Sequence, residues 1–477
     1  LSDLSAYNGR QRTTDVGLRF TELREERQLL QPFPTQLSGA EWLSRQQNAL
    51  LADEPRVGKT GTAILAADYN LDDTILVVTT ASGRPVWKRA FPNWSPYNRQ
   101  TQIIAQPTKL TAPVCIVGWP SIVNPQIRTE ILKRSWDRVF LDEAHNAKNF
   151  AAKRTQSVYG QLLDGGTILH HGLSIANAAK GVWCLTGTPY PHDLSDIYPM
   201  MRSLCPERLQ SDPDKGWPDV TTYEAFRDRY CKWRPKKLSP WKSIIVIMGG
   251  KNETELRDRL NGFMLKRTQA DVGIRPPVYE TLPLVVSAKM LRDVEGDIDR
   301  TSVLAAARDG DTRNLEMHLG PLRRMTGEMK AYAVVDAVKD EFDGGLDKIV
   351  LAYWHKDVGQ ILKDGLSEFG VVGIDGSTSA TARGDAEQQF LNNPQKRVFL
   401  GQIEAAGEAI DLSSASVLWF VETVFSPKSM KQMSLRITNH TQTRQAIVRV
   451  CVLEGSIDEA VNESLLRLWS SIREVLA

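Results

Sequence analysis

The sequence predicts an α/β protein in which two lobes, each built on a parallel sheet, are joined through a helical insertion. Two observations carry this. Short apolar runs rich in β-branched residues recur along the chain, separated by longer helical stretches, which is the pattern of βαβ units. The runs also fall into two sets, and the composition changes between them.

Residues 1–31 read as an N-terminal extension. The first set of strands, Ile75–Thr80, Val114–Trp119, Arg138–Leu141 and Val182–Leu185, defines a first lobe over 32–205. Residues 206–250 then carry Pro213, Trp217, Trp233, Pro235, Pro240 and Trp241 and close on Gly249-Gly250. Residues 253–267 and 286–343 read as helical, so 206–335 is assigned to a helical insertion and inter-lobe linker. The second set, Lys348–Trp354, Val371–Ile374, Arg397–Leu400, Val417–Val421 and Ile447–Leu453, defines a second lobe over 336–477.

Composition bounds the class. The chain has 477 residues, 42% hydrophobic and 24% charged, which is ordinary for a globular protein and excludes a disordered or collagen-like chain. No apolar stretch approaches the ~20 residues of a membrane helix, and the first residues lack the layout of a signal peptide. The five cysteines are scattered and never form a CxxC pair, which argues against a disulfide framework or a zinc site and for a reducing compartment. Net charge is only +2 and the isoelectric point is near 8.2, so a nucleic-acid site must be a local groove and not a basic coat.

Three motifs carry chemistry. Leu51-Ala-Asp-Glu-Pro-Arg-Val-Gly-Lys-Thr60 runs into a helical stretch. A phosphate-binding loop needs backbone amides aimed at the phosphates, a Lys for the β/γ oxygens and a hydroxyl for Mg²⁺. Here Val57, Gly58, Lys59, Thr60 and Gly61 are the candidates, although Asp53 stands where the first glycine of GxxxxGK[ST] belongs. Val139-Phe-Leu-Asp-Glu-Ala-His145 is an apolar strand ending in two carboxylates: Asp142 suits Mg²⁺, and Glu143 suits the attacking water. Leu185-Thr-Gly-Thr-Pro189 also follows an apolar strand and reads as a coupling element between nucleotide and nucleic acid.

With these stretches in place, the chain resembles helicase superfamily two, and within it the sucrose-non-fermenting (Snf-type, Swi/Snf-like) DNA translocases. Pro34-Thr-Gln-Leu-Ser-Gly-Ala-Glu-Trp-Leu43 is similar to the glutamine motif, with Gln36 as adenine reader. The GKT loop is similar to LADEMGLGKT, and Asp142–Asn149 to DEAHxxKN. Val77–Trp87 and Ile116–Trp119 resemble DNA-facing segments. Phe263–Val272 followed by Pro276-Pro277 resembles MLRRTKxDVxxxLPP, the most diagnostic stretch. In the second lobe, Ile374–Thr378 with Arg383, Ala405–Leu412 and Gln432–Arg436 resemble the DGS, AGGxGLNL and QxxxRxHRxGQ motifs. Phe226–Cys231 and Met325–Lys330 look most like the compact annealing-helicase branch.

The resemblance implies two RecA-like lobes that use ATP and Mg²⁺. It implies Lys59, Asp142, Glu143 and Arg436 as catalytic residues, and Thr60 with Asp142 as metal ligands. Gln36, Gly407, Asp411 and Arg436 would join the loop in binding ATP. Ser82, Arg84, Trp119, Thr188, Ser377, Arg383 and Gln402 would contact DNA. Trp87, Trp94, Trp119 and Trp354 could stack on bases, but an indole more often packs at a lobe edge. Arg234, Lys236 and Lys237, near Trp233 and Trp241, read as a solvated loop or as phosphate contacts. His170-His171 lacks a ligand pattern, so no metal site is expected there.

Departures from the family pattern bear on turnover. Arg436 matches the first arginine of the last motif, but Asn439 occupies the second, whose guanidinium normally reaches the γ-phosphate. Arg56 replaces a loop glycine, Glu408 and Ala409 fill usually small positions, and Asp411 replaces an Asn. The expected protein is an ATP-dependent translocase on duplex or forked DNA, monomeric, cytoplasmic, and from a bacterium or a virus-infected cell. The alternatives are a nucleotide-dependent DNA clamp with weak or partner-dependent hydrolysis, and a strand-separating or RNA helicase.

Overall fold

The computed structural model describes residues 24–162, 168–169, 174–191, 193–239, 241–286, 312–406, 410–422, 427–440 and 442–454. The chain divides into two compact units at Thr268/Gln269.

The first unit holds β1 (Ala49–Leu51), β2 (Ile75–Thr79), β3 (Thr101–Ile104), β4 (Val114–Gly118), β5 (Arg138–Asp142), the ribbon β6 (Gln161–Leu162) with β7 (Ile168–Leu169), β8 (Val182–Leu185), β9 (Cys231–Ser239), β10 (Lys242–Gly250) and β11 (Met264–Leu265). Seven of these form one parallel sheet in the order β11-β1-β8-β5-β2-β4-β3. Its central strands are apolar along their middles because both faces are covered, with polar residues (Thr79, Arg138 and Asp142) only at their ends. Leu76, Val78, Val139 and Leu141 join the apolar cluster on one face. Ile75, Val77, Phe140 and Trp183 join the cluster on the other.

The second unit holds β12 (Val278–Leu284), β13 (Ile349–Tyr353), β14 (Val371–Ile374), β15 (Val398–Gln402), β16 (Val417–Phe420) and β17 (Ile447–Leu453), in the parallel order β12-β17-β16-β13-β15-β14. It too is filled on both faces: Val350, Phe399 and Leu418 point to one cluster, Leu351, Leu400 and Trp419 to the other. The fold is therefore α/β, with two parallel sheets in separate lobes.

The segment assigned to the insertion is shared between the units. Phe226, Tyr230, Leu256, Leu260 and Phe263 are part of the first unit's core. Residues 206–250 are not simply helical: after the helix Tyr223–Tyr230, β9 and β10 form an antiparallel hairpin. The helical expectation for 253–267 holds for Glu253–Leu260, after which the chain extends into β11. Of 286–343, the helix Thr312–Asp343 is described, and residues 287–311 lie outside the described residues.

Candidate active site

In an open parallel sheet, ligands sit beyond the carboxyl ends of the strands. The motifs of the first unit gather there, after β1, β2, β4, β5 and β8. The loop after β1 enters the helix Lys59–Tyr69 through Gly58, whose φ of 103° is left-handed and suits glycine. The first amides of that helix have no intrahelical acceptors and suit an anion. Gln36 is buried and braces the loop: its Oε1 accepts from Phe33 N at 3.0 Å and its Nε2 donates to Gly58 O at 3.2 Å. A Cβ at Gly61 would lie 2.8 Å from that amide, so the glycine allows the approach. Lys59 Nζ donates to the carbonyls of Asp53 (2.6 Å) and Glu54 (3.1 Å).

Asp53, at the missing glycine, is fully buried and forms a two-pronged ion pair with Arg267. Arg267 also donates to the Thr35 carbonyl, and its own carbonyl accepts from Glu54 N at 2.9 Å. The diagnostic Phe263–Val272 stretch thus begins by clamping the phosphate loop. Sequence reading missed this pair, which spans more than 200 residues.

At the end of β5, Asp142 Oδ2 accepts from Thr79 Oγ1 (2.6 Å) and Trp87 Nε1 (2.8 Å). Its Oδ1 accepts no hydrogen bond from a described residue and is the oxygen suited to a cation. Burial, and then the neighbouring Glu143, push the Asp142 carboxyl up to about 6, against the pull of Thr79, Trp87 and Lys59. Glu143 sits at φ 51°, ψ 50°, a strained conformation for a residue with a side chain. His145 Nδ1 lies 3.2 Å from Glu143 Oε2 and 2.9 Å from Thr186 Oγ1. Thr186 Oγ1 in turn accepts from Thr188 N at 3.1 Å, so the DEAH strand and the LTGTP turn form one polar chain.

Of the tryptophans weighed for base stacking, Trp87 and Trp119 take the packing alternative, and Trp119 is not placed to contact DNA through its ring. Trp87 and Trp119 are 1% and 2% exposed, leaving no ring face for a base. Trp119 Nε1 donates to the Asp142 carbonyl at 2.8 Å, so both indoles hold the carboxylate strand end. Ser82 Oγ pairs with Thr80 Oγ1 at 3.1 Å. Arg84 Nε is buried without a hydrogen-bond partner, which leaves it a donor for an incoming acceptor. Thr188 Oγ1 lies 3.4 Å from His145 Nδ1.

In the second unit, Ser377, Arg383 and Gln402 gather around the turn after β14. Ser377 Oγ donates to Asp375 Oδ1 (2.6 Å). Arg383 donates to the carbonyls of Thr378 (3.1 Å) and Ala405 (2.9 Å). Gln402 accepts from Gly376 N (2.8 Å) and donates to Trp354 O (3.0 Å). The last two brace backbone. Arg436 is buried, and its carbonyl accepts from Leu412 N at 3.1 Å. Asp411 Oδ1 accepts from Ser413 N (2.9 Å) and Oγ (2.6 Å), and Asn439 Nδ2 donates to that same Oγ. Gly407, Glu408, Ala409 and His170-His171 lie outside the described residues. Sequence reading also missed Glu422, whose Oε2 accepts from the amides of Trp354 and His355 and whose Oε1 lies 2.6 Å from His355 Nδ1.

All five cysteines are buried thiols. Among the described residues no group of His, Cys, Asp and Glu could by itself hold a metal ion, and no helix is long and apolar enough to cross a membrane.

Two parallel-sheet lobes, the first carrying a phosphate loop and paired carboxylates at a strand end, define a nucleotide-driven helicase-like class, and two family models match the chain. One describes an SNF2-related domain and covers residues 35–292; the other, a helicase conserved C-terminal domain, covers 333–441. The first spans more than half of the chain, and the chain belongs to the SNF2-related family. It is 23% identical over 435 residues to the DNA annealing helicase and endonuclease ZRANB3 of Bos taurus, covering 87% of this chain and 38% of that protein. It is 25% identical over 459 residues to the SWI/SNF-related matrix-associated actin-dependent regulator of chromatin subfamily A-like protein 1 of Xenopus tropicalis, covering 92% and 44%. The chain thus spans about two fifths of the length of these relatives. The Sulfolobus solfataricus SWI2/SNF2 ATPase core in complex with dsDNA aligns at a TM-score of 0.42 and 20% identity, over 93% of this chain and 94% of that one. Both relatives are animal proteins and lend no support to a bacterial or viral origin.

Proposed function

We propose that the chain is a DNA-dependent ATPase that translocates on duplex or branched DNA, in the service of fork remodelling, strand annealing or recombination. The observation that carries this reading is the convergence at the carboxyl ends of one sheet's strands of the GKT loop, the Asp142-Glu143 pair and the Thr186 turn linked to them through His145. Family membership and the annealing activity named for one relative support it.

In this reading the first-turn amides and Lys59 take the phosphates, and Lys59 exchanges its two loop carbonyls for phosphate oxygens. The Thr60 hydroxyl and Asp142 Oδ1 would hold Mg²⁺, which would supply positive charge to the β- and γ-phosphates. Thr79 and Trp87 fix the Asp142 carboxylate so that its remaining oxygen faces the ligand. Glu143 orients the attacking water and accepts its proton. Gln36 serves the adenine side, and Arg436 senses the γ-phosphate. The Thr186–Thr188 turn passes the nucleotide state through His145 to the DNA-facing segments.

ATP hydrolysis by the purified chain, alone and with single-stranded, duplex and forked DNA at two stated salt concentrations, tests this. Stimulation by duplex or forked DNA is expected. Glu143→Gln should abolish turnover and keep ATP binding; surviving turnover would remove Glu143 from its role. Asn439, which lacks a guanidinium and bonds to Ser413, favours a second reading: a clamp that hydrolyses slowly until a partner supplies the arginine. DNA binding without stimulated turnover selects it.

A further inference from the structure

The hairpin β9–β10 takes no part in the chemistry above. Among the described residues it pairs with no other sheet, and a lone two-stranded ribbon is marginal in water. Its base is secured: Cys231 is buried, Lys251 N donates to Tyr230 O at 2.8 Å, and Trp233 Nε1 donates to Asp228 Oδ1 at 2.7 Å beneath Arg227. Trp241, at the turn, is 96% exposed, and Met248 and Ile245 are 58% and 46% exposed. From Cys231 to Lys251 the sequence holds Lys232, Arg234, Lys236, Lys237, Lys242 and Lys251 and no acidic residue. This one ribbon carries more positive charge than the +2 of the whole chain.

We infer that the hairpin is a second DNA-binding element, separate from the lobe motifs, and that it takes unpaired bases where a duplex branches. The inference rests on the translocase reading and specifies its substrate. A dense, purely cationic strand pair is complementary to a phosphate backbone. An exposed indole stacks on a base face, and within a duplex those faces are covered by neighbouring pairs, so an unpaired base is the ligand that uses both features.

The test compares the full chain with Trp241→Ala, and separately with Lys236→Ala/Lys237→Ala. Each binds a fork carrying 2-aminopurine in its single-stranded arm and a blunt duplex of equal length, across a salt series. Trp241→Ala should weaken fork binding about five- to tenfold and abolish the 2-aminopurine quenching, with duplex binding changed less than twofold. The double lysine variant should flatten the dependence of log K on log salt by about 1.4, the value for two phosphate contacts on a single strand. Unchanged fork binding by Trp241→Ala overturns the inference, as does equal weakening on both DNAs. Loss of binding to phosphatidylserine vesicles without loss of fork binding also overturns it, in favour of a lipid surface. Failure of the translocase reading looks different: no DNA stimulates hydrolysis by the unaltered chain, whatever Trp241 does.

Discussion

Removing Arg267 tests how the phosphate loop is held. Its guanidinium meets both oxygens of Asp53, with Nε to Oδ1 at 3.0 Å, and reaches the Thr35 carbonyl as well. The Asp53 side chain is wholly buried and that of Arg267 is 13% exposed, so solvent cannot replace the cation once it is gone. Truncating one member of a buried pair costs about 3–5 kcal/mol, chiefly because the other charge is stranded. Arg267→Ala should therefore lower the unfolding midpoint of the first unit by roughly 10 °C. It should also weaken ATP by about tenfold or more, because the Asp53 and Glu54 carbonyls that position Lys59 lose their anchor. Arg267→Lys keeps the charge but not the fork, and should cost about 1–2 kcal/mol. Adding Asp53→Asn to Arg267→Ala removes the stranded charge and should recover part of the loss. Urea unfolding and titration with a fluorescent ATP analogue read these effects. If Arg267→Ala unfolds within about 1 kcal/mol of the unaltered chain, or the double variant is no better than the single, the clamp is not what holds the loop.

Three further outcomes are expected. Trp87→Phe keeps the packing against Phe91 and Phe140 but removes a donor to Asp142, so turnover should fall about tenfold with an unchanged circular dichroism spectrum; a Mg²⁺ titration should show a raised half-saturating concentration. Asp68 is pushed up to about 6 by burial, against the pull of Arg99, Ser95 and Arg24. Its folded pKa exceeds the unfolded ~3.9, so it binds a proton on folding, and its ionisation removes stability as pH rises from about 4 through 6. Asp68→Asn lacks this loss and should therefore cost about 2 kcal/mol more at pH 4.5 than at pH 7.5, measured by urea midpoints at the two values. Asn439→Arg supplies a guanidinium and should raise DNA-stimulated kcat at least about tenfold; an unchanged kcat would mean that the missing arginine does not limit turnover.

Most of the strands that sequence reading located are buried on both faces; the edge strand Val371–Ile374 is the exception. Val114–Gly118 and Ile349–Tyr353 are apolar at every position because helices cover both sides, and that continuity survives in a single sequence. The strands it did not locate lack the signal for physical reasons. β1 and β11 are three and two residues long, β3 is half-exposed and begins Thr-Gln, and β12 is an exposed edge strand containing Pro283. The hairpin hides its strands among lysines and Pro235. At the candidate site, residue type and spacing pointed to Lys59, Asp142 and Glu143, because each motif is contiguous. Thr79 and Trp87 reach Asp142 from more than 50 residues away, and a linear pattern carries no record of such a meeting.

The phosphate loop shows what replaces a missing glycine pattern. A loop with its glycines can take left-handed conformations at little cost. Here Arg56 stands at a glycine position and still adopts φ 72°, a strain of about 1 kcal/mol or more. The strain persists only if the surroundings fix the backbone. Three side chains do so from three places: Gln36 at the Gly58 carbonyl, Lys59 at the Asp53 and Glu54 carbonyls, and Arg267 on the Asp53 carboxylate. Asp53 is then no defect in the motif but the point at which the Phe263–Val272 segment takes hold of the loop. The loop's shape is imposed from outside, and a change at Arg267 or Gln36 should reach the nucleotide site as surely as a change at Lys59.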